Sequence, residues 1–266
     1  MKRIALIAMG VCLAAALVVI AAEVRSVNTV GFAKKALLPA GGLELIGVPF
    51  TSFTSGGSTT LEDMLGTNQL TAASFYTSAD RVLLWDRVGV TYNFFAIRSS
   101  DGKFHNANSA GAWAGPATNP VVNVGDGLWL WRYGAASTTN QVYLLGEVID
   151  ATNAVIPIYE GLNLISYPFS CEFDVNASTL TTNNGVIGGT FYTTADWILV
   201  WDPVGRTYHK WAVKASDGKW HYADSAATWA GGPVTNKIAV GEGFWYKRVT
   251  NAVLNWAESN PYLSNL

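Results

Sequence analysis

The stretch Ser99–Gly115 reads SSDGKFHNANSAGAWAG, and it returns at Ala215–Gly231 as ASDGKWHYADSAATWAG. Asp101, Gly102, Lys103, His105, Ser109 and Trp113 stand in register with Asp217, Gly218, Lys219, His221, Ser225 and Trp229. Self-similarity at a fixed spacing marks a duplicated module, and it constrains the fold before any motif does. Working outward, Thr77–Arg132 aligns with Thr193–Arg248 without a gap, and 27 of the 56 positions are identical. So long a gapless match predicts one strand order, used twice. The repeat opens at GLELIGVPF (Gly42–Phe50) against GLNLISYPF (Gly161–Phe169), and the second copy is three residues shorter between the blocks. The length change therefore falls in a loop. Two modules follow, 27–145 and 146–257, each of ordinary domain size, with a polar tail at 258–266.

Within a module the strand signals are short and frequent. LELIGVPF and LNLISYPF are apolar runs that close on Pro, and RVLLWD and WILVWD come next. The turn Asp202-Pro203-Val204-Gly205 has Pro to preset its first position, with Gly205 expected to take the positive φ. Ser-Asp-Gly then predicts a hairpin. A final pair of strands carries VGDGLWLWR and VGEGFWYKR. Helix is scarce: STTLEDMLG offers Thr59 as cap, Glu62 three residues on and Gly66 as stop, and VNASTLTT is a weaker counterpart. The expected fold is mostly β, two tandem antiparallel modules, each a sandwich or a partly open barrel. NTVGFAKK, VYLLGEVID and AVLNWAES flank the modules as related strands, and the middle one is expected to serve both.

Composition agrees with this class. Eleven each of Trp, Tyr and Phe, beside 26 Gly, suit half-buried pleated surfaces and the turns between them. A formal net charge of -2 without a Lys/Arg cluster argues against nucleic acid as a partner. The first residues, MKRIALIAMGVCLAAALVVIAAEVRS, pair a basic start with apolar Ile4–Ala22 and small Ala21 and Ala22. They read as a signal peptide, residues 1–22, with an uncleaved anchor as the rival. Val11 before Cys12 gives no lipobox, and cleavage leaves Cys171 as the lone thiol. The mature chain is expected outside the cytoplasm: secreted, at the cell surface, or in the periplasm, with no membrane span.

The G-L-N-L-I-S-x-P opening (Gly161–Pro168), the V-W-D strand (Val200–Asp202) and the G-x-G-F-W block (Gly241–Trp245) carry a resemblance. So does the NTVGF start (Asn28–Phe32). The chain resembles tandem β-modules of uncharacterised secreted bacterial proteins, and Glu44 and Gly47 depart from the pattern that Asn163 and Ser166 keep. The resemblance implies architecture and export, and it brings no activity with it.

Asp101, His105 and Ser109 with their twins have the residue types of a hydrolytic triad. Their spacing argues against one, because nucleophile, base and acid ordinarily converge from separate elements. Neither His has a second His or Cys at ligand spacing, and no D-x-D-x-D-G loop occurs. No cofactor is expected; calcium held across loops by Asp80 and Asp196, or Asp86 and Asp202, is the remaining metal chemistry. Trp113 and Trp229 lie in Gly/Ala stretches outside any clear strand, as caps over the core or as platforms for sugar rings. In the second case Lys103 joins the first site, and Lys219, Tyr222 and Asp224 the second. The expected function is structural or adhesive and non-enzymatic, with itself, other surface proteins or glycans as partners. A carbohydrate-binding protein is the alternative, and a secreted enzyme the third class.

Overall fold

The structure is a computed structural model that describes residues 29–36, 42–53, 58–107, 112–133, 141–224 and 229–263. The signal segment, Ser109 and Ser225 lie outside them. The first module runs β1 (Val30–Ala36), β2 (Leu43–Gly47), β3 (Thr59–Thr60), α1 (Leu61–Leu65), β4 (Arg81–Asp86) and β5 (Thr91–Arg98). It continues through β6 (Lys103–Ala107), β7 (Trp113–Ala117), β8 (Val121–Val122), β9 (Gly127–Trp131) and β10 (Gln141–Glu147). The second runs β11 (Asn153–Ile158), β12 (Gly161–Ser166), β13 (Trp197–Asp202), β14 (Thr207–Val213), β15 (Trp220–Ala223), β16 (Trp229–Pro233), β17 (Gly243–Arg248) and β18 (Leu254–Ser259).

Each module holds one six-stranded antiparallel sheet, ordered β2-β9-β4-β5-β6-β7 in the first and β12-β17-β13-β14-β15-β16 in the second. Position for position these are the same order, as the gapless repeat predicts. Period-two alternation divides each sheet between two duties. Val82 of β4 and Ile198 of β13 face their own module's core, whereas Leu83, Trp85, Leu199 and Trp201 face the other module. On the core side a two-stranded ribbon covers the sheet, β1 with β10 in the first module and β11 with β18 in the second. Ala33, Val142 and Leu144 thereby meet Leu61, Met64 and Leu65 of α1 over Phe95, Phe104 and Leu130. On the opposite side the two sheets meet through a shared cluster of Leu45, Leu83, Trp129, Leu164 and Trp245. The layers are sandwich-like, ribbon on sheet on sheet on ribbon.

Several expectations need correcting. Strand β10 crosses the boundary drawn between Leu145 and Gly146 and pairs along its whole length with β1. It does not serve both modules, because the second has its own strand, β11, paired with β18. Residues 258 and 259 belong to β18, and Glu258 and Asn260 are buried, so the polar tail starts later. The helix is capped by Thr60 and not Thr59: the Thr60 hydroxyl accepts from the Asp63 N–H, and the Asp63 carboxylate accepts from the Thr60 N–H. VNASTLTT forms turns and has no α-helix; a single 3-10 turn, Thr182–Asn184, starts at its last residue.

The β4–β5 and β13–β14 turns hold a further surprise. Positive φ falls on Val90 (48°) and Arg206 (50°), not on the glycines before them. Gly89 answers to space instead. Asp86 accepts the N–H groups of Val88 and Gly89, and a Cβ on Gly89 would lie 2.8 Å from its Oδ2. The Ser-Asp-Gly hairpins do follow expectation, with Gly102 and Gly218 at φ 67° and 68°.

Candidate functional site

The repeated Asp, His and Trp converge in both modules. The β5–β6 turn presents Asp101, and its Oδ1 accepts the Lys103 N–H. His105 sits two residues into β6, on the face that β7 shares through the pair Ala107 and Trp113. Trp113 thus begins an edge strand instead of a loop, as does Trp229 in β16. Its indole meets His105 edge-on at 5.8 Å between centroids and Tyr76 at 6.1 Å. The indole N–H donates to the Ser74 carbonyl at 2.8 Å. In the second module Trp229 lies 5.9 Å from His221 and donates to the Thr190 carbonyl at 2.8 Å. The tryptophan therefore pins an edge strand to the loop beside it.

Both histidines are buried and contacted at both ring nitrogens. Nε2 of His105 lies 2.8 Å from Asp101 Oδ2, and Nδ1 lies 3.4 Å from the Gly115 carbonyl. For His221 the distances are 2.8 Å to Asp217 Oδ2 and 3.2 Å to the Gly231 carbonyl. Carboxylate and carbonyl only accept, so a neutral ring satisfies one contact and an imidazolium satisfies both. The Asp101 carboxyl is held below its ordinary value chiefly by the His105 hydrogen bond. At Asp217 burial pulls upward, and the His221 and Lys219 hydrogen bonds outweigh it.

The other sugar-site candidates do not all gather here. Tyr222 alternates with His221 and points to the opposite face, edge-on to Trp211 at 6.5 Å. It cannot join Trp229, because neighbours on a strand face opposite ways. Lys103 lines a cavity of about 230 Å³ with Glu62, Phe104 and Asn119. Lys219 meets the cluster through its backbone N–H to Asp217, and Asp224 follows β15 directly. The cation nearest the Trp229 ring is Lys214, at 5.9 Å. Sequence reading missed it, although it precedes the Asp-Gly turn in the same hairpin.

The acids considered for calcium have other duties. Asp80 is fully buried, 3.3 Å from Arg132, and accepts the Thr71 and Tyr133 N–H groups. Asp196 is likewise buried, 2.6 Å from Arg248, and accepts from the Tyr246 hydroxyl. Asp86 and Asp202 brace their turns. Among the described residues no three His, Cys, Asp or Glu side chains stand close enough to share a metal ion. No helix among them is long and apolar enough to cross a membrane. Comparison with protein-family models, curated proteins and solved structures returned no match.

Proposed function

We propose that this chain is a secreted, non-enzymatic protein with a structural or adhesive role at the cell surface or in extracellular material. The observation carrying this reading is the inward turn of the duplicated cluster: both indole N–H groups and all four imidazole nitrogens meet acceptors of their own chain. General base catalysis needs a lone pair directed at substrate. A cluster that pins an edge strand to a loop serves as a latch. The aromatic seam between the sheets supports the same role, since it joins two modules into one body with fixed outer surfaces.

A membrane-impermeant amine reagent applied to intact producing cells is expected to label the lysines of the chain. Deleting the gene is expected to weaken attachment of the cells to surfaces or matrix, and Asp217→Asn to leave attachment intact. A chain labelled only after lysis, or an enzymatic activity lost in a folded Asp217→Asn protein, ends this reading. Saccharide binding at Trp113 and Trp229 is the second reading, supported by the half-exposed position of both indoles on edge strands. A glycan array compares the wild-type chain with Trp229→Ala to test it.

A further inference from the structure

The modules differ at the outer edges of their ribbons. In the first, the Gln69 amide donates to the Tyr143 carbonyl at 2.9 Å, and its oxygen accepts the Tyr143 N–H at 2.7 Å. One carboxamide thereby satisfies both backbone groups of an edge residue, as a neighbouring strand would. The counterpart of Gln69 is Gly185. The carbonyl of each accepts from the buried arginine of its module, Arg132 at 3.4 Å and Arg248 at 2.8 Å. Two residues on, the Thr71 and Ile187 N–H groups donate to Asp80 and Asp196. Gly185 has no amide to offer. A Cβ built on it would meet Leu254 Cδ1 at 3.7 Å, so the missing side chain would start beside β18.

That leaves the stretch of β18 beside Gly185 without the cover that Gln69 gives β10. The Thr179 hydroxyl donates to the Ala257 carbonyl at 2.6 Å, so this carbonyl points away from β11. Backbone groups alternate in direction along a strand, so those of Asn255 point the same way. The ladder partner of Asn255 is Pro157, which has no N–H and suits only a position whose nitrogen faces away from the ladder. Both observations aim the N–H and C=O of Asn255 outward. They open on a cavity of about 380 Å³ lined by Thr179, Leu180, Asn184 and residues 254–257.

We infer that this cavity is a receptor for one carboxamide group, the side chain of a glutamine or asparagine on another polypeptide. The group would take the Asn255 backbone as Gln69 takes that of Tyr143. Thr179 already holds the Ala257 carbonyl, so a strand laid along this edge could not continue its ladder past Asn255, which fits a single amide and not an added strand. The site stands whatever wider role the chain has.

Titration of the full ¹⁵N-labelled chain with N-acetylglutamine methylamide tests the assignment. The Asn255 amide resonance is expected to shift, together with those of Trp256 and Ala257. N-acetylglutamate methylamide has the same backbone but no side-chain donor at neutral pH, and is expected to bind at least about tenfold more weakly. Asn255→Pro removes the outward N–H and spares the ladder; it is expected to lose the response at Trp256 and Ala257, while Asn255→Ala keeps it. Should Asn255→Pro not fold, Asn184→Trp, which fills the cavity from an exposed 3-10 turn, replaces it. Equal binding of the two probes would mean that the ligand backbone is recognised, and would overturn the assignment. So would resonances that neither probe moves, or a response retained by the proline or tryptophan variant.

Discussion

The indole N–H of Trp85 in the first module donates to the carbonyl of Leu162 in the second at 3.1 Å. The reverse bond exists too, from Trp201 to Leu43 at 2.7 Å. Around each, rings pack edge-on: Trp85 against Trp245 at 5.2 Å, Trp201 against Trp129 at 5.4 Å. Because the modules are copies, a residue set that suits one side of the seam suits the other, and the contact is self-complementary. Gly127 and Gly243 permit the close approach, since a Cβ on them would lie 3.0 Å and 2.9 Å from the Ile165 and Ile46 carbonyls.

Trp201→Phe keeps most of the ring and removes the donor from Leu43. The expected cost is about 1–2 kcal/mol, and the same for Trp85→Phe. The two bonds share no ring partner, so the double variant is expected to be additive within about 0.5 kcal/mol. Trp245→Ala empties the seam and is expected to cost about 3–5 kcal/mol. Urea unfolding followed by circular dichroism measures all four.

Val90 is a β-branched residue at positive φ on an exposed turn. The left-handed conformation costs an ordinary residue about 1–2 kcal/mol, and glycine's freedom in the unfolded chain offsets about 0.4–1 kcal/mol of the relief. Val90→Gly is therefore expected to raise stability by up to about 1 kcal/mol. Gly89→Ala, which drives a Cβ against Asp86, is expected to lower it. Melting temperatures of the two variants should move in opposite directions.

These turns show where sequence reading stops. The repeat disclosed that one strand order serves both modules, because Asp-Gly turns and apolar alternation are local signals that two copies spell out twice. It also paired Asp, His and Trp correctly in register. It did not disclose which face of β4 meets the other module, since Leu83 and Val82 are equally apolar and only the packing of whole sheets distinguishes them. Strand β11 carries Pro157 inside it, and the proline is tolerated because its nitrogen faces away from the ladder. Gly205 draws the expectation of a positive φ because glycine usually takes it; the Asp202 carboxylate instead claims the space beside its Cα, and the positive φ passes to Arg206.

Arg248 is buried against Asp196, whose carboxylate also takes the Tyr246 hydroxyl and the Val249 N–H. Arg248→Met leaves that carboxylate buried without its cation, at an expected cost of about 3–5 kcal/mol. Tyr246→Phe deletes one donor among several and is expected to cost about 1 kcal/mol. Burial, and then the neighbouring Asp196, holds the Tyr246 phenol well above its ordinary value, so it remains a donor into alkaline solution. Chemical denaturation of both variants checks the order, and equal losses would contradict it.

Asp217 couples the hairpin turn to the latch, since Oδ1 serves the Lys219 N–H and Oδ2 serves His221. Asn-Gly serves such a turn as well as Asp-Gly does. Its amide keeps the Lys219 N–H on Oδ1 but meets His221 only as a neutral donor, so Asp217→Asn replaces the charge-assisted bond to the histidine with a weaker neutral one. The carboxyls of Asp101 and Asp217 are both held below the ordinary 3.8 in the folded chain. A carboxyl lowered on folding adds stability above its unfolded pKa and loses it as pH falls through the folded one. The wild type is therefore expected to exceed Asp217→Asn in melting temperature by a constant margin above about pH 4, shrinking as acid protonates the folded carboxylate. A margin unchanged down to about pH 2 would mean that the charged hydrogen bond to His221 contributes nothing, leaving the turn as the sole role of Asp217.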